Sequence, residues 1–78
     1  MMAQYELNAR RLLCPMPVIK TQQKVKTMQA GDILNIYATD PGAMYDIPAW
    51  CRMYGHKIVK SEESPEEVYI QLEVVDIK

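Results

Sequence analysis

The chain of 78 residues is poor in the groups on which most small-domain chemistry depends: two cysteines, one histidine, three glycines, one tryptophan and no phenylalanine. Two cysteines, Cys14 and Cys51, are too few for the disulfide framework that holds small secreted domains together, so both are read as reduced thiols. His56 and two cysteines without Cys-x-x-Cys spacing do not supply the four ligands of a structural zinc site, and neither a metal nor a cofactor is expected. Apolar runs are short, and the amino terminus lacks the basic, apolar and small-residue order of a signal peptide. No membrane partner is therefore expected, and the cytoplasm is the expected compartment. Charge of either sign is also scarce as a net quantity: 9 basic against 10 acidic residues give −1. That balance argues against binding driven by phosphate neutralisation, and no direct nucleic-acid partner is expected.

What remains is the composition of a soluble globular domain, 49% hydrophobic and 24% charged. A chain of this length forms one domain, residues 1–78, able to bury about 60% of the surface of its unfolded state. Ala3, Tyr5 and Leu7 alternate with Gln4 and Glu6, which predicts a half-buried strand. Val18, Val25 and Met28, with Lys20, Gln23, Lys24 and Lys26 opposite, predict an amphipathic helix from Val18 to Met28 that Gly31 would end. Ile33 to Thr39 is apolar on both faces, as in a central strand. Strand, helix and strand in this span predict a βαβ crossover with parallel strands.

Two starts are open for a second helix. Asp40-Pro41-Gly42 is one, and Asp46-Ile47-Pro48 is the other, with Asp46 as cap. Either way Ile47, Trp50, Cys51 and Tyr54 have the spacing of a buried stripe, with Gly55 as terminator. Met44 and Met53 are read as filling gaps in the core. His56 to Lys60 and Val68 to Val74, joined by the acidic turn Ser61–Glu67, predict a hairpin. The expected fold is an α/β two-layer sandwich, β-α-β-α-β-β, with two helices on one face of a four-stranded mixed sheet.

The candidate reactive atom is the sulfur of Cys14, in Leu12-Leu13-Cys14-Pro15-Met16-Pro17. Proline is tolerated in a first helical turn, so Pro15 and Pro17 place the thiol at the start of the first helix. A helix N-terminus favours an anion and lowers a cysteine pKa, which predicts a nucleophilic thiolate. Arg10 and Arg11 either favour an anionic sulfur or dock an acidic partner, or are solvated loop charges, and Lys20 is a further secondary contributor to the thiolate's surroundings. Met16 either packs or forms part of a docking surface. The position a resolving cysteine would take is Pro17, which disfavours thioredoxin-type chemistry. His56, placed after Gly55, is read as solvated or as a helix cap rather than as a catalytic base. Cys51 falls on the apolar stripe and is read as a core thiol. A lone thiolate can still accept sulfane sulfur by exchange at a persulfide and release it to another nucleophile.

These residues resemble the TusA/SirA-like family of small sulfur carriers. The most specific match is Cys14-Pro15-Met16-Pro17, the family's Cys-Pro-x-Pro signature. A second match runs from Asp40-Pro41-Gly42 through Asp46-Ile47-Pro48-Ala49-Trp50-Cys51 to Gly55-His56. The resemblance implies a βαβαββ fold and a persulfide on Cys14. It also implies a relay from a cysteine desulfurase or rhodanese-like donor to a downstream acceptor protein, in tRNA thiolation, molybdenum-cofactor or sulfur-oxidation pathways. The chain departs from the family at Asn8, where aspartate is frequent, and at Arg11, where glycine is usual, which alters the loop and the docking surface.

A sulfur carrier working through Cys14 is thus the leading reading. Two others stand beside it: a non-enzymatic RNA-binding or regulatory module that makes no use of the thiol, and a redox protein pairing Cys14 with Cys51.

Overall fold

A computed structural model describes residues 3–75. The elements follow the expected order: β1 (Gln4–Ala9), α1 (Met16–Val25), β2 (Ile33–Ala38), α2 (Ala43–Tyr54), β3 (Lys57–Glu63) and β4 (Val68–Glu73). They make a four-stranded mixed sheet of order β1-β2-β4-β3, with β1 parallel to β2 and the other two pairings antiparallel. The strand with apolar residues on both sides, β2, is central, and the alternating β4 is its neighbour.

Period-two alternation decides what each strand buries. Leu34, Ile36 and Ala38 of β2 pair across the sheet with Leu72, Ile70 and Val68 of β4, and all six are buried. The helices supply the other half of this core through Val25 on α1 and Ala43, Ile47, Trp50 and Cys51 on α2. Each large aliphatic side chain taken from water here contributes about 1.5–3 kcal/mol. On the opposite face Asn35 takes the one buried polar position of the central strand. Its Oδ1 accepts hydrogen bonds from Tyr69 Oη at 2.6 Å and Gln71 Nε2 at 3.0 Å, so the amide is not left unpaired.

Several boundaries and burial patterns differ from expectation. β1 continues through Asn8 and Ala9, because both residues pair in register with β2, Ala9 against Ala38. α1 begins at Met16 and ends at Val25, short of Met28, through a tight turn in which Thr27 and Met28 N–H bond to the carbonyls of Lys24 and Val25. Gly31 therefore does not end the helix. At φ 92° it takes a left-handed turn that points its N–H at the Val74 carbonyl, 2.8 Å away. The buried face of α1 is Pro17, Thr21 and Val25. Thr21 is tolerated there because its hydroxyl donates to the Pro17 carbonyl at 2.8 Å.

α2 starts from the earlier of the two candidate positions, after Gly42, and leaves Asp46 in its first turn and Pro48 inside the helix. Met53, expected in the core, is 77% exposed, and Tyr54 is also largely exposed. Met53 lies between the inward-facing positions and Tyr54 is at the helix's final residue, so neither is covered by the sheet. Met44 does pack against the core. Gly55 ends the helix in a left-handed conformation as expected, at φ 80°. β3 runs on to Glu63, into the segment expected to be turn, and carries a bulge between Ile58 and Lys60. Val74 is buried but follows the last strand residue.

Two consequences are open to measurement. Ile47 is fully buried at the helix–sheet contact, so Ile47→Ala is expected to lower the unfolding free energy by about 2–5 kcal/mol in a urea titration. A loss below about 1 kcal/mol would contradict this packing. Arg11 has φ 66°, which gives a backbone reason for the glycine usual at this position in the family the motif resembles. A side chain in that conformation costs about 1–2 kcal/mol, partly offset by the unfolded-state freedom of glycine. Arg11→Gly is therefore expected to raise stability by about 0.5–1 kcal/mol, read as a higher denaturation midpoint. A lower midpoint would mean that the arginine side chain makes a compensating contact.

Candidate functional site

Parallel pairing brings the loop after β1 and the loop after β2 to the same end of the sheet, because Ala9 and Ala38 are register partners at the ends of their strands. The first loop carries Cys14. Its backbone is fixed in three steps: Leu12 N–H reaches back to the Ala9 carbonyl, Arg11 N–H donates to Thr39 Oγ1 at 2.8 Å, and Cys14 N–H donates to Asp40 Oδ2 at 2.8 Å. The last two bonds tie the loop to the segment that follows β2. Asp40 also folds its own loop, its Oδ1 accepting Gly42 N–H at 3.1 Å ahead of α2.

The side chain of Cys14 is exposed and its sulfur lies 2.8 Å from Asp46 Oδ2, with the thiol as donor. Both carboxylates converge on Gly42, where a β-carbon would stand 3.5 Å from Asp40 Oδ1 and 3.7 Å from Asp46 Oδ2. The Cys14 pKa is raised: first by the hydrogen bond to Asp46, then by desolvation, then by the charges of Asp46 and Asp40.

This direction is opposite to the one expected from the helix terminus. The reason lies in the motif itself. Pro15 and Pro17 have no N–H to offer an anion. Met16 N–H is committed to the Leu13 carbonyl at 2.8 Å, and Cys14 N–H to Asp40. Of the donors that make a helix terminus attractive to a thiolate, those of Pro15, Met16 and Pro17 are absent or taken, while a carboxylate faces the sulfur.

The other candidate residues are distributed unevenly around this thiol. Pro15 is exposed and joined to Cys14 by a cis peptide bond, and Pro17 is buried under the helix. Met16 is 37% exposed, and Leu13 and Tyr45 are far more exposed, at 75% and 72%. Leu13 and Met16 flank the thiol in sequence, and Tyr45 precedes Asp46, which holds the sulfur. Arg10 is not directed at the thiol. It pairs with Glu67 and lies 4.8 Å over the ring of Tyr37. Arg11 contributes its backbone to the loop through Thr39, and its side chain is exposed, as is Lys20 on α1. No basic side chain is among the causes of the Cys14 shift.

Cys51 is 1% exposed on the inner face of α2, and burial pushes its pKa up to about 11. Both cysteines are free thiols. His56 is half-buried, stacked on Trp50 at 5.2 Å, with Nδ1 accepting Val75 N–H at 3.1 Å, and burial lowers its pKa. Surface hollows of about 590 and 340 Å³ are lined by the β3–β4 end and by the α2–β3 corner, and Cys14 lines neither. A sulfur on an open surface with apolar side chains close in sequence is accessible to a protein partner rather than enclosed for a small molecule. Among the described residues no group of three or more His, Cys, Asp and Glu side chains is placed to hold a metal ion, and no helix is long and apolar enough to cross a membrane.

Asp40 and Asp46 are the site residues that helix-capping logic left in a structural role. Parallel pairing was the signal that could have found them, since it sets the loops after β1 and β2 side by side, where ligands of α/β sheets gather.

Comparison with known proteins bears on the same stretch. Residues 5–74 match the family model described as Sulfurtransferase TusA. Over 65 residues the chain is 42% identical to sulfur carrier protein TusA of Pseudomonas syringae pv. syringae (strain B728a), covering 83% of this chain and 76% of that protein. It is 37% identical over 57 residues to YrkI of Bacillus subtilis (strain 168), covering 73% of this chain and 76% of YrkI. With YrkF of the same organism it shares 41% identity over 66 residues, 85% of this chain but only 36% of YrkF, so that relative is much longer. With a matching family model over nearly all of the described residues and an exposed Cys-Pro-Met-Pro thiol at the head of α1, the chain belongs to the TusA family.

Proposed function

We propose that this protein is a sulfur carrier that holds sulfane sulfur as a persulfide on Cys14 and relays it from a donor protein to an acceptor protein. The observation that carries this reading is the contrast between its two thiols. Cys14 is exposed on a loop tied down by Asp40 and Thr39, and Cys51 is sealed in the core. A carrier needs one sulfur that two partners can reach in turn, held in a repeatable position, and no second thiol competing for the cargo. The family assignment and the relative named sulfur carrier protein TusA support the same role.

In uptake the Cys14 sulfur attacks the outer sulfur of a donor persulfide. A new S–S bond forms at Cys14 as the donor's own S–S bond breaks, and the donor leaves as a thiol. Delivery is the same exchange with an acceptor thiolate attacking the outer sulfur and Cys14 leaving. No oxidant or reductant is consumed. A cysteine desulfurase or a rhodanese-like protein is the donor, and the acceptor belongs to a thiolation, molybdenum-cofactor or sulfur-oxidation pathway in the cytoplasm. Leu13, Met16 and Tyr45 supply apolar contact area to both partners, and Arg11 and Lys20 supply exposed charge.

Incubation with a cysteine desulfurase and cysteine bearing radiolabelled sulfur, without reductant, tests the role. Label is expected to enter the wild-type protein and Cys51→Ser, to be released by thiol reductant, and to be lost in Cys14→Ser. Circular dichroism checks that each variant is folded. Equal labelling of folded Cys14→Ser would refute the assignment.

A further inference from the structure

Sulfur exchange at Cys14 requires somewhere for the thiol proton to go. Three candidates can be weighed. His56, the usual proton carrier near neutral pH, is stacked on Trp50 with Nδ1 occupied by Val75 N–H. Asp40 faces the loop, but its Oδ2 takes Cys14 N–H and its Oδ1 takes Gly42 N–H. Asp46 is the third, and its Oδ2 lies 2.8 Å from the sulfur itself.

From this geometry we propose that Asp46 is the positioning residue and proton partner of Cys14, accepting the hydrogen bond of the unloaded thiol and then the proton itself as the new S–S bond forms. The inference rests on the carrier reading for its transfer step. Its resting-state half stands on the hydrogen bond alone. The thiol is the donor in this hydrogen bond, so the pair rests as S–H facing the carboxylate oxygen. A thiolate is the form that oxidises and alkylates, so the unloaded carrier is kept quiet although its sulfur is exposed.

Uptake then proceeds in balance. The Cys14 S–H bond breaks toward Asp46 Oδ2 while the sulfur electron pair forms the bond to the outer sulfur of the donor persulfide. The donor's S–S bond breaks, and its departing thiolate takes the proton from Asp46, directly or through water. Thiol plus persulfide become persulfide plus thiol, with no change in total oxidation state.

The charged groups acting on Cys14 come from two places, Asp46 in the first turn of α2 and Asp40 in the loop before it. Both oppose ionisation, and the Asp46 hydrogen bond is the largest cause. Removing the Asp46 charge must therefore move the ionisation of Cys14 to lower pH, and removing that of Asp40 must do so by less.

The test is the rate of Cys14 alkylation by iodoacetamide from mildly acidic to alkaline pH in wild type, Asp46→Asn and Asp40→Asn, followed on the peptide containing Cys14. Asp46→Asn is expected to shift the profile to lower pH and react severalfold faster at neutral pH. At the alkaline plateau it is expected to react no faster than wild type, since a less basic thiolate is intrinsically the weaker nucleophile. The same samples are offered glutathione persulfide. In Asp46→Asn the ratio of sulfur uptake to alkylation at neutral pH is expected to fall severalfold, because ionisation no longer has a proton acceptor coupled to it. If Asp46→Asn proves unstable, Asp46→Ser, which also removes the carboxylate, provides the readout. An unshifted profile, a uniform rise at every pH that signals only easier access, or an unchanged uptake-to-alkylation ratio would overturn the proposal. Failure of the carrier reading shows differently: the alkylation profile shifts as expected, but no persulfide forms on Cys14 in the wild type.

Discussion

The site depends on one carboxylate. Asp40 accepts Cys14 N–H through one oxygen and Gly42 N–H through the other, so a single side chain fastens the loop after β1 to the loop after β2 and shapes the entry to α2. Hydrogen bonds with an ionised partner are stronger than neutral ones, which suits a bond that must hold a surface loop in place. It can form only because β1 and β2 are parallel and in register, ending together at Ala9 and Ala38. The buried core formed by β2, β4 and the two helices fixes that register in turn, since a slip of one residue would turn Leu34 and Ile36 to the wrong face.

The two thiols show how one direction of pKa shift can have different meanings. In Cys51 burial raises it, and nothing short of unfolding removes burial. In Cys14 a carboxylate at the surface is the leading cause. A docking partner can bring a cation to that carboxylate or take the proton itself, so the suppression is reversible. An exposed cysteine followed by two prolines is thus neither an activated thiolate at a helix terminus nor a thiol sealed in the core.

Much of the fold was legible because periodicity reports directly on burial. The alternation of Val68, Ile70 and Leu72 and the two-sided apolar run of β2 identify their strands, and Gly55 ends α2 where a left-handed residue is needed. Element ends were less legible. α1 stops at Val25 through a tight turn that no glycine marks, and Tyr54 continues the stripe of α2 past the edge of what the sheet can cover. The position of the thiol could be read from its prolines. Its electrostatic surroundings could not, because they come from Asp46 and Asp40, distant in the chain, and from the Met16 N–H spent on the Leu13 carbonyl. The left-handed backbone of Arg11 was hidden for a related reason: the residue type does not announce a conformation that loop closure imposes.

Sulfur loading of Cys14 is read most directly by peptide mass spectrometry of the unmutated protein after exposure to a cysteine desulfurase and cysteine without reductant, repeated with a rhodanese-type donor. One added sulfur is expected on the peptide containing Cys14, none on that containing Cys51, and its loss on reduction. An unmodified Cys14 with both donors, or sulfur found on Cys51 instead, would contradict the carrier reading.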